Sequence, residues 1–190
     1  LGAEGYARRD EFLLPVGVEA AWFLHALITA RKPRRILELG TSYGYSTLFL
    51  ADAARQVGGS VVTMDLADYK QDYAREQLQA AGLADHVELR CGDALELVAQ
   101  DAQSGGGTWD FVLLDIWKDL YVPCFEAVYP GLSEEAIVCT DNMISPENAR
   151  PNARALREAI AAKGDMQTAL LPVGQGIELS VKWSAGNAKL

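Results

Sequence analysis

Along this chain, short runs of apolar and β-branched residues alternate with longer segments whose apolar positions recur every three or four residues. The short runs fall at 35–39 (RILEL), 60–65 (SVVTMD), 86–90 (HVELR), 109–114 (WDFVLL), 136–140 (AIVCT), 167–171 (QTALL) and 177–183 (IELSVKW). Helical patterns separate the first five, at about 43–56, 68–81, 93–103 and 119–129, and another at about 149–163 leads into the sixth. A further amphipathic segment, about 17–31, precedes the first strand, with Val18, Trp22, Phe23, Leu27 and Ile28 at helical spacing. Local punctuation agrees. Asp68 and Gln71 have the spacing of a capping box. Gly82 and Gly164 stand where helices should end. Only PVGQG separates the sixth and seventh runs, which predicts an antiparallel hairpin. SGGG at 104–107 reads as a flexible loop, because the rhythm continues through it and the whole of 1–190 reads as one domain.

Strand and helix alternation of this kind predicts an α/β fold, a mostly parallel sheet with helices on both faces. Ligands of such sheets sit outside the carboxyl ends of the strands. The residues at those ends are therefore the candidates for chemistry.

Composition narrows the classes. With 190 residues, 49% apolar and 23% charged, the chain resembles an ordinary globular protein. Its longest apolar runs are too short to span a bilayer, and no secretory leader pattern opens it. It begins at Leu1 rather than Met, which suggests a trimmed N-terminus. Cys91, Cys124 and Cys139 have no CxxC spacing, which argues against disulfides and zinc and fits a reducing cytoplasm. Cys139, in an apolar run, reads as a core residue. His25 and His86 lack metal-type spacing and read as surface or satisfied histidines. A formal charge of −9 disfavours nucleic acid as a partner. The one basic run, RKPRR at 31–35, reads as a solvated loop.

Three strand ends suggest a cofactor. The first strand runs into LELGTSYGYST, where Gly40 and Gly44 bracket a turn with room for a ligand. The spacing is G-x-x-x-G, not the G-x-G-x-x-G that lets a main chain hug a pyrophosphate. The second strand ends in Asp65, which could accept from ribose hydroxyls, and the third ends at GDA, 92–94, near an adenine edge. An adenosine cofactor without a pyrophosphate, S-adenosylmethionine, fits best. Each piece also has a plain alternative: glycine turns serve packing, and acids after strands often cap helices.

Two more strand ends suggest a metal. The fourth strand delivers Asp115 and the fifth delivers Asp141 and Asn142. If these strands are neighbours, their ends lie about 5 Å apart. Two carboxylates that close repel unless a cation intervenes. An oxygen-only set suits a hard divalent ion, Mg²⁺ above all. Lys118 follows Asp115 in the turn toward the next helix, where desolvation and a cation would favour its neutral form. A neutral amine there could take a proton from a substrate hydroxyl. The plain alternative makes Asp115 a helix cap paired with Lys118 at the surface, which leaves Asp141 and Asn142 unexplained. Trp117 could wall the pocket or pack in the core.

Taken in order, LELGTSYGYST, VVTMD, CGDA, LLDIWKDLY and TDN resemble the metal-dependent class I S-adenosylmethionine O-methyltransferases typified by catechol and caffeoyl-CoA O-methyltransferase, from about Pro15 to Trp183. The resemblance implies a Rossmann-like seven-stranded sheet, mostly parallel, with the last strand antiparallel and inserted between strands five and six. It implies that Val16, Glu38, Gly40, Thr41 and Ser46 line the cofactor turn, that Asp65 holds the ribose, and that Asp93 and Ala94 sit near the adenine. Asp115, beside the cofactor as well, would ligate the metal with Asp141 and Asn142. Lys118 would be the general base, and Glu178 would face the substrate hydroxyl, although it could instead face solvent from its alternating strand. The position of Ser42, glycine in the wider cofactor motif, departs from it. The segment after TDN lacks the longer insertion that shapes an acyl-CoA pocket, which argues against a CoA ester. Residues 1–16 would form an arm over the site, and the resembled enzymes include homodimers.

The leading expectation is thus a divalent-cation-dependent O-methyltransferase acting on a small, catechol-like diol. A nucleotide-dependent oxidoreductase and a non-catalytic S-adenosylmethionine-binding protein are the alternatives. No N/D-P-P-Y/F motif for amine targets follows the fourth strand.

Overall fold

The structure, a computed structural model, describes residues 13–105 and 108–183. Most of the arm expected over 1–16 therefore lies outside the described residues, as does part of the glycine loop. Seven strands form one sheet: β1 (Arg35–Leu39), β2 (Ser60–Asp65), β3 (Val87–Cys91), β4 (Trp109–Leu114), β5 (Leu132–Thr140), β6 (Met166–Leu171) and β7 (Ile177–Lys182). Their order is β3-β2-β1-β4-β5-β7-β6. The first five strands are parallel, and β7 runs antiparallel between β5 and β6. Six α-helices are described: α1 (Val18–Arg31), α2 (Tyr45–Val57), α3 (Asp68–Ala80), α4 (Ala94–Gln103), α5 (Tyr121–Val128) and α6 (Arg150–Ala162). None is long and apolar enough to cross a membrane.

Central strands are buried on both sides, so their side chains divide between two cores. Ile36, Val61, Phe111, Leu113, Ile137 and Cys139 face α1 and α2. Leu37, Met64, Val112, Leu114 and Val138 face α4, α5 and α6. Alternate residues of one strand thus feed opposite cores, as the pleat requires.

Several local readings are corrected. Asp68 and Gln71 form no capping box: α3 starts after Ala67 without a side-chain cap. Gln71 is buried and spends its amide on Arg90 O (2.7 Å). On α1 the stripe in the core is Ala20, Ala21, Leu24 and Ile28, whereas Val18 and Trp22 are exposed. A helix apolar on nearly every side cannot announce its buried face. β5 begins four residues earlier than its apolar run, because Leu132 already pairs with Trp109 before a bulge carries Glu134 and Glu135 past Asp110. Glu135 has φ 60, and its charge hides the strand from a hydrophobicity reading. Arg35, assigned to a solvated loop, instead lies 4.3 Å over the Trp109 ring. The helix expected from 119 opens with a short 3-10 turn, Lys118–Leu120. Gly82 and Gly164 do end their helices with positive φ.

Candidate active site

The carboxyl end of β1 turns at Gly40. Its φ of 104 suits glycine, and an added Cβ would lie 2.0 Å from Asp115 O. The close contact sets the turn after β1 directly against the end of β4. Gly40 N and Thr41 N both donate to Met64 O, folding the turn over β2. Ser42 N then donates to Asp65 Oδ2 (2.7 Å), and Ala67 N to Asp65 Oδ1 (3.0 Å). Asp65 is thereby braced at the sheet edge with lone pairs to spare.

Beneath this turn lies Glu38, fully buried. Ser46 donates to one of its oxygens, and Thr47 and Thr63 to the other, each at 2.6 Å. Burial pushes its pKa up to about 7, against the pull of the three hydroxyls. Folded, Glu38 binds its proton more tightly than its ordinary value of 4.5 allows. Its contribution to stability is therefore complete below about pH 4.5 and is lost as pH rises through about 7, a span worth at most about 3 kcal/mol. Chemical denaturation of the wild type should show stability falling from pH 5 to 8, and Glu38→Gln should flatten that slope. An unchanged slope in the variant would assign the pH dependence elsewhere.

Of the other expected cofactor residues, Ser46 and Thr41 are buried in this same network, with Thr41 2.6 Å from Thr63. Asp93 acts as the N-cap of α4, accepting from Leu95 N and Glu96 N, next to half-buried Ala94. Val16 is buried in the core with α1.

The second cluster sits at β4 and β5. Leu114 and Thr140 are register partners, so Asp115 and Asp141 leave the sheet side by side. Asp115 caps no helix, which removes the surface-cap alternative. Asp141 is 1% exposed; one carboxylate oxygen takes the Asn142 N–H, and Oδ1 is buried without a partner. Burial raises the pKa of both acids, and for Asp141 the neighbouring Asp115 charge raises it further. Lys118 Nζ donates to Asn142 Oδ1 and to Ile116 O (3.3 Å), and lies 5.0 Å over the Tyr121 ring. Burial pushes its pKa down, against the pull of Asp115 and Asp141. Asn142 itself has φ 58, a left-handed conformation that asparagine tolerates better than most.

These residues fit a hard cation: an oxygen-only set, two acids that repel one another, and one buried oxygen with nothing bound to it. Among the described residues no three His, Cys, Asp or Glu side chains gather as a metal cluster. This set is instead two carboxylates and an amide.

Glu178 does not face solvent. It is fully buried on β7, and its Oε1 accepts from Thr168 (2.5 Å) and Arg157 Nε (3.2 Å) while Oε2 has no partner.

Sequence reading missed two supporting residues. Tyr121 donates to Asp141 O (2.6 Å), fixing the main chain where the acid emerges. Gln175, in the β6–β7 loop, accepts from Asn142 Nδ2 (2.9 Å) and takes Ile144 N and Ser145 N on its carbonyl. Lys118, which can only donate, takes the Asn142 oxygen, and Gln175 accepts from the amide nitrogen left over. The signal was the loop PVGQG folding back on TDN, visible only once β7 is known to pair with β5. If a cation binds at Asp115, Asp141 and Asn142, Gln175→Ala should weaken Mn²⁺ affinity there, read by electron paramagnetic resonance, by about tenfold, the usual cost of losing a residue that orients a ligand. Unaltered affinity would make Gln175 a loop residue only.

Comparisons with known proteins show the family and the fold. A family model described as O-methyltransferase matches residues 6–183. A catechol O-methyltransferase of Mycobacterium tuberculosis is 35% identical over 145 residues, covering 75% of this chain and 64% of that protein. The chain thus spans less than two thirds of the length of the first curated relatives it matches. Among solved structures, an O-methyltransferase from Bacillus cereus in complex with SAH superposes with TM-score 0.82 at 28% identity, covering 94% of this chain and 87% of that one. The O-methyltransferase TomG from Streptomyces achromogenes, involved in tomaymycin synthesis and solved with SAM, gives TM-score 0.82 at 26% identity, with 95% and 87% covered.

Proposed function

Because this chain belongs to the O-methyltransferase family, we propose that it transfers the methyl group of S-adenosylmethionine to a hydroxyl of a small catechol-like molecule, with a divalent cation, Mg²⁺ above all, held by Asp115, Asp141 and Asn142. The carrying observation is the convergence of those three oxygen ligands with Lys118, with Asp141 Oδ1 buried and unpartnered. The relative named for catechol and the neighbours solved with SAM or SAH support the substrate and cofactor classes.

The protein's own groups divide the work. Gly40 and the braced Asp65 leave a ligand edge over β1 and β2 for the adenosine. Asp115, Asp141 and Asn142 would hold the cation, which would supply Lewis-acid stabilisation of an ionised substrate oxygen. Lys118, kept toward its neutral form by burial, receives the hydroxyl proton at Nζ. The substrate oxygen then bonds to the methyl carbon as the carbon–sulfur bond breaks. Tyr121 and Gln175 hold the Asp141–Asn142 corner still, so that the acceptor is positioned rather than activated by force.

The family assignment sets aside the oxidoreductase alternative. A methyl-transfer screen over catechols and other phenols, with magnesium and with excess chelator, tests the rest. Transfer to a catechol that chelator abolishes is expected. Full activity in chelator would remove the metal from the reading, and no transfer to any hydroxyl would leave a binding protein.

A further inference from the structure

Beside the Asp141–Asn142 corner a cavity of about 610 Å³ opens between α6 and the edge strand β6. Its near end is Met143 and Ile144, the residues directly after Asn142. Ala153, Ala161 and Leu170 continue an apolar lining. The charged residues around it are Arg150, Arg154, Arg157 and Glu158, all on α6. Three of these four are arginines, in a chain of formal charge −9.

The three arginines differ in what they already hold. Arg150 pairs with Glu147 at 3.1 Å. Arg157 gives Nε to Glu178 Oε1, beneath the lining, so its guanidinium is anchored from behind by a fully buried carboxylate. Arg154 has no ion pair or hydrogen bond among the described residues, and it lies between the other two on the helix. An apolar lining that begins beside Asn142 and includes an arginine with unspent donors suits a ligand with an apolar body and an anionic end. A guanidinium row favours a carboxylate or phosphate over a neutral polar group, because it offers paired N–H donors to two oxygens.

We propose that this cavity receives the tail of the methyl acceptor and that Arg154, which lies between Arg150 and Arg157 on α6, selects acceptors whose tail ends in an anion. The inference rests on the reading of the Asp115–Asp141–Asn142 corner as the site of methyl transfer. It assigns Glu178 a positioning role: its charge holds Arg157 at the cavity wall.

The test compares ω-(3,4-dihydroxyphenyl)alkanoic acids of increasing chain length with their methyl esters, in the presence of S-adenosylmethionine and magnesium. One chain length is expected to show kcat/KM for the acid above that for its ester by roughly fivefold, the scale of one partly exposed charge-assisted contact. Arg154→Ala should erase that preference through KM while activity on the ester stays put, and Arg154→Lys should restore part of it. Tryptophan-fluorescence titration of the same acids and esters reads binding without turnover. Equal rates and equal affinities for acid and ester at every length overturn the inference and leave methyl transfer standing. Absence of transfer to every catechol, acid or ester, overturns the functional reading instead, and a retained Arg154-dependent affinity for the acids would keep the cavity as an anion-tail site on its own.

Discussion

Lys118→Met is expected to lower the rate of the methyl-transfer step by about 10²- to 10⁴-fold, the range that a positioned general base contributes. Methionine keeps the length and most of the apolar volume of lysine, so the packing over Tyr121 survives. What disappears is the amine that meets Asn142 Oδ1 and Ile116 O. Affinity for S-adenosylmethionine should not move, because the residues bracing the cofactor edge, Thr41, Ser42 and Asp65, make none of their bonds through Lys118. Single-turnover mixing of enzyme preloaded with labelled cofactor separates the chemical step from product release. A variant that turns over at the wild-type rate would demote Lys118 to a structural partner of Asn142.

Asp141→Asn should act on two observables in opposite directions. The substitution keeps the shape of the side chain and removes one of two acids that burial and mutual repulsion already disfavour as a charged pair. Metal-free protein at pH 8 should therefore melt higher, by about 2–4 °C if roughly 1 kcal/mol is relieved. Affinity for Mg²⁺, by contrast, should fall by more than the about 10- to 100-fold that outer-shell changes cost. Methyl transfer should fall with it and recover only in part at high magnesium. Differential scanning calorimetry and isothermal titration give the two readings on one sample. If the variant melts lower and binds magnesium as before, Asp141 is a buried structural acid.

Much of this could be read without coordinates, and the reasons differ by element. The strands β1, β2 and β4 begin and end where their apolar runs do, because a strand covered on both faces has no polar alternation to blur it. That Asp115, Lys118, Asp141 and Asn142 meet was legible because neighbouring parallel strands end at one known edge. The failures share a cause: tertiary context. Glu134 and Glu135 disguise the start of β5, since a bulge lets charged residues travel inside a strand. Gln71 looks like a cap and is spent on Arg90 O, across in β3. Glu178 looked free to face water because an alternating strand has two faces, and nothing local says that α6 covers one of them. Gln175 had no signal at all before the hairpin was placed against Asn142.

The insertion of β7 between β5 and β6 has a consequence for how the Asp141–Asn142 corner comes into being. Met143, Ile144 and Ser145 hang their amides on Gly176 and Gln175, at the mouth of that inserted strand. An added Cβ on Gly176 would lie 2.7 Å from Ile144 N, so the two segments meet with no slack. During synthesis the acids and the lysine emerge well before the strand that clamps them. A nascent chain stalled ahead of the hairpin would carry Asp115, Lys118, Asp141 and Asn142 without the strand that holds Met143, Ile144 and Ser145 in place, so that corner takes its final shape only when the closing wedge slides into the gap.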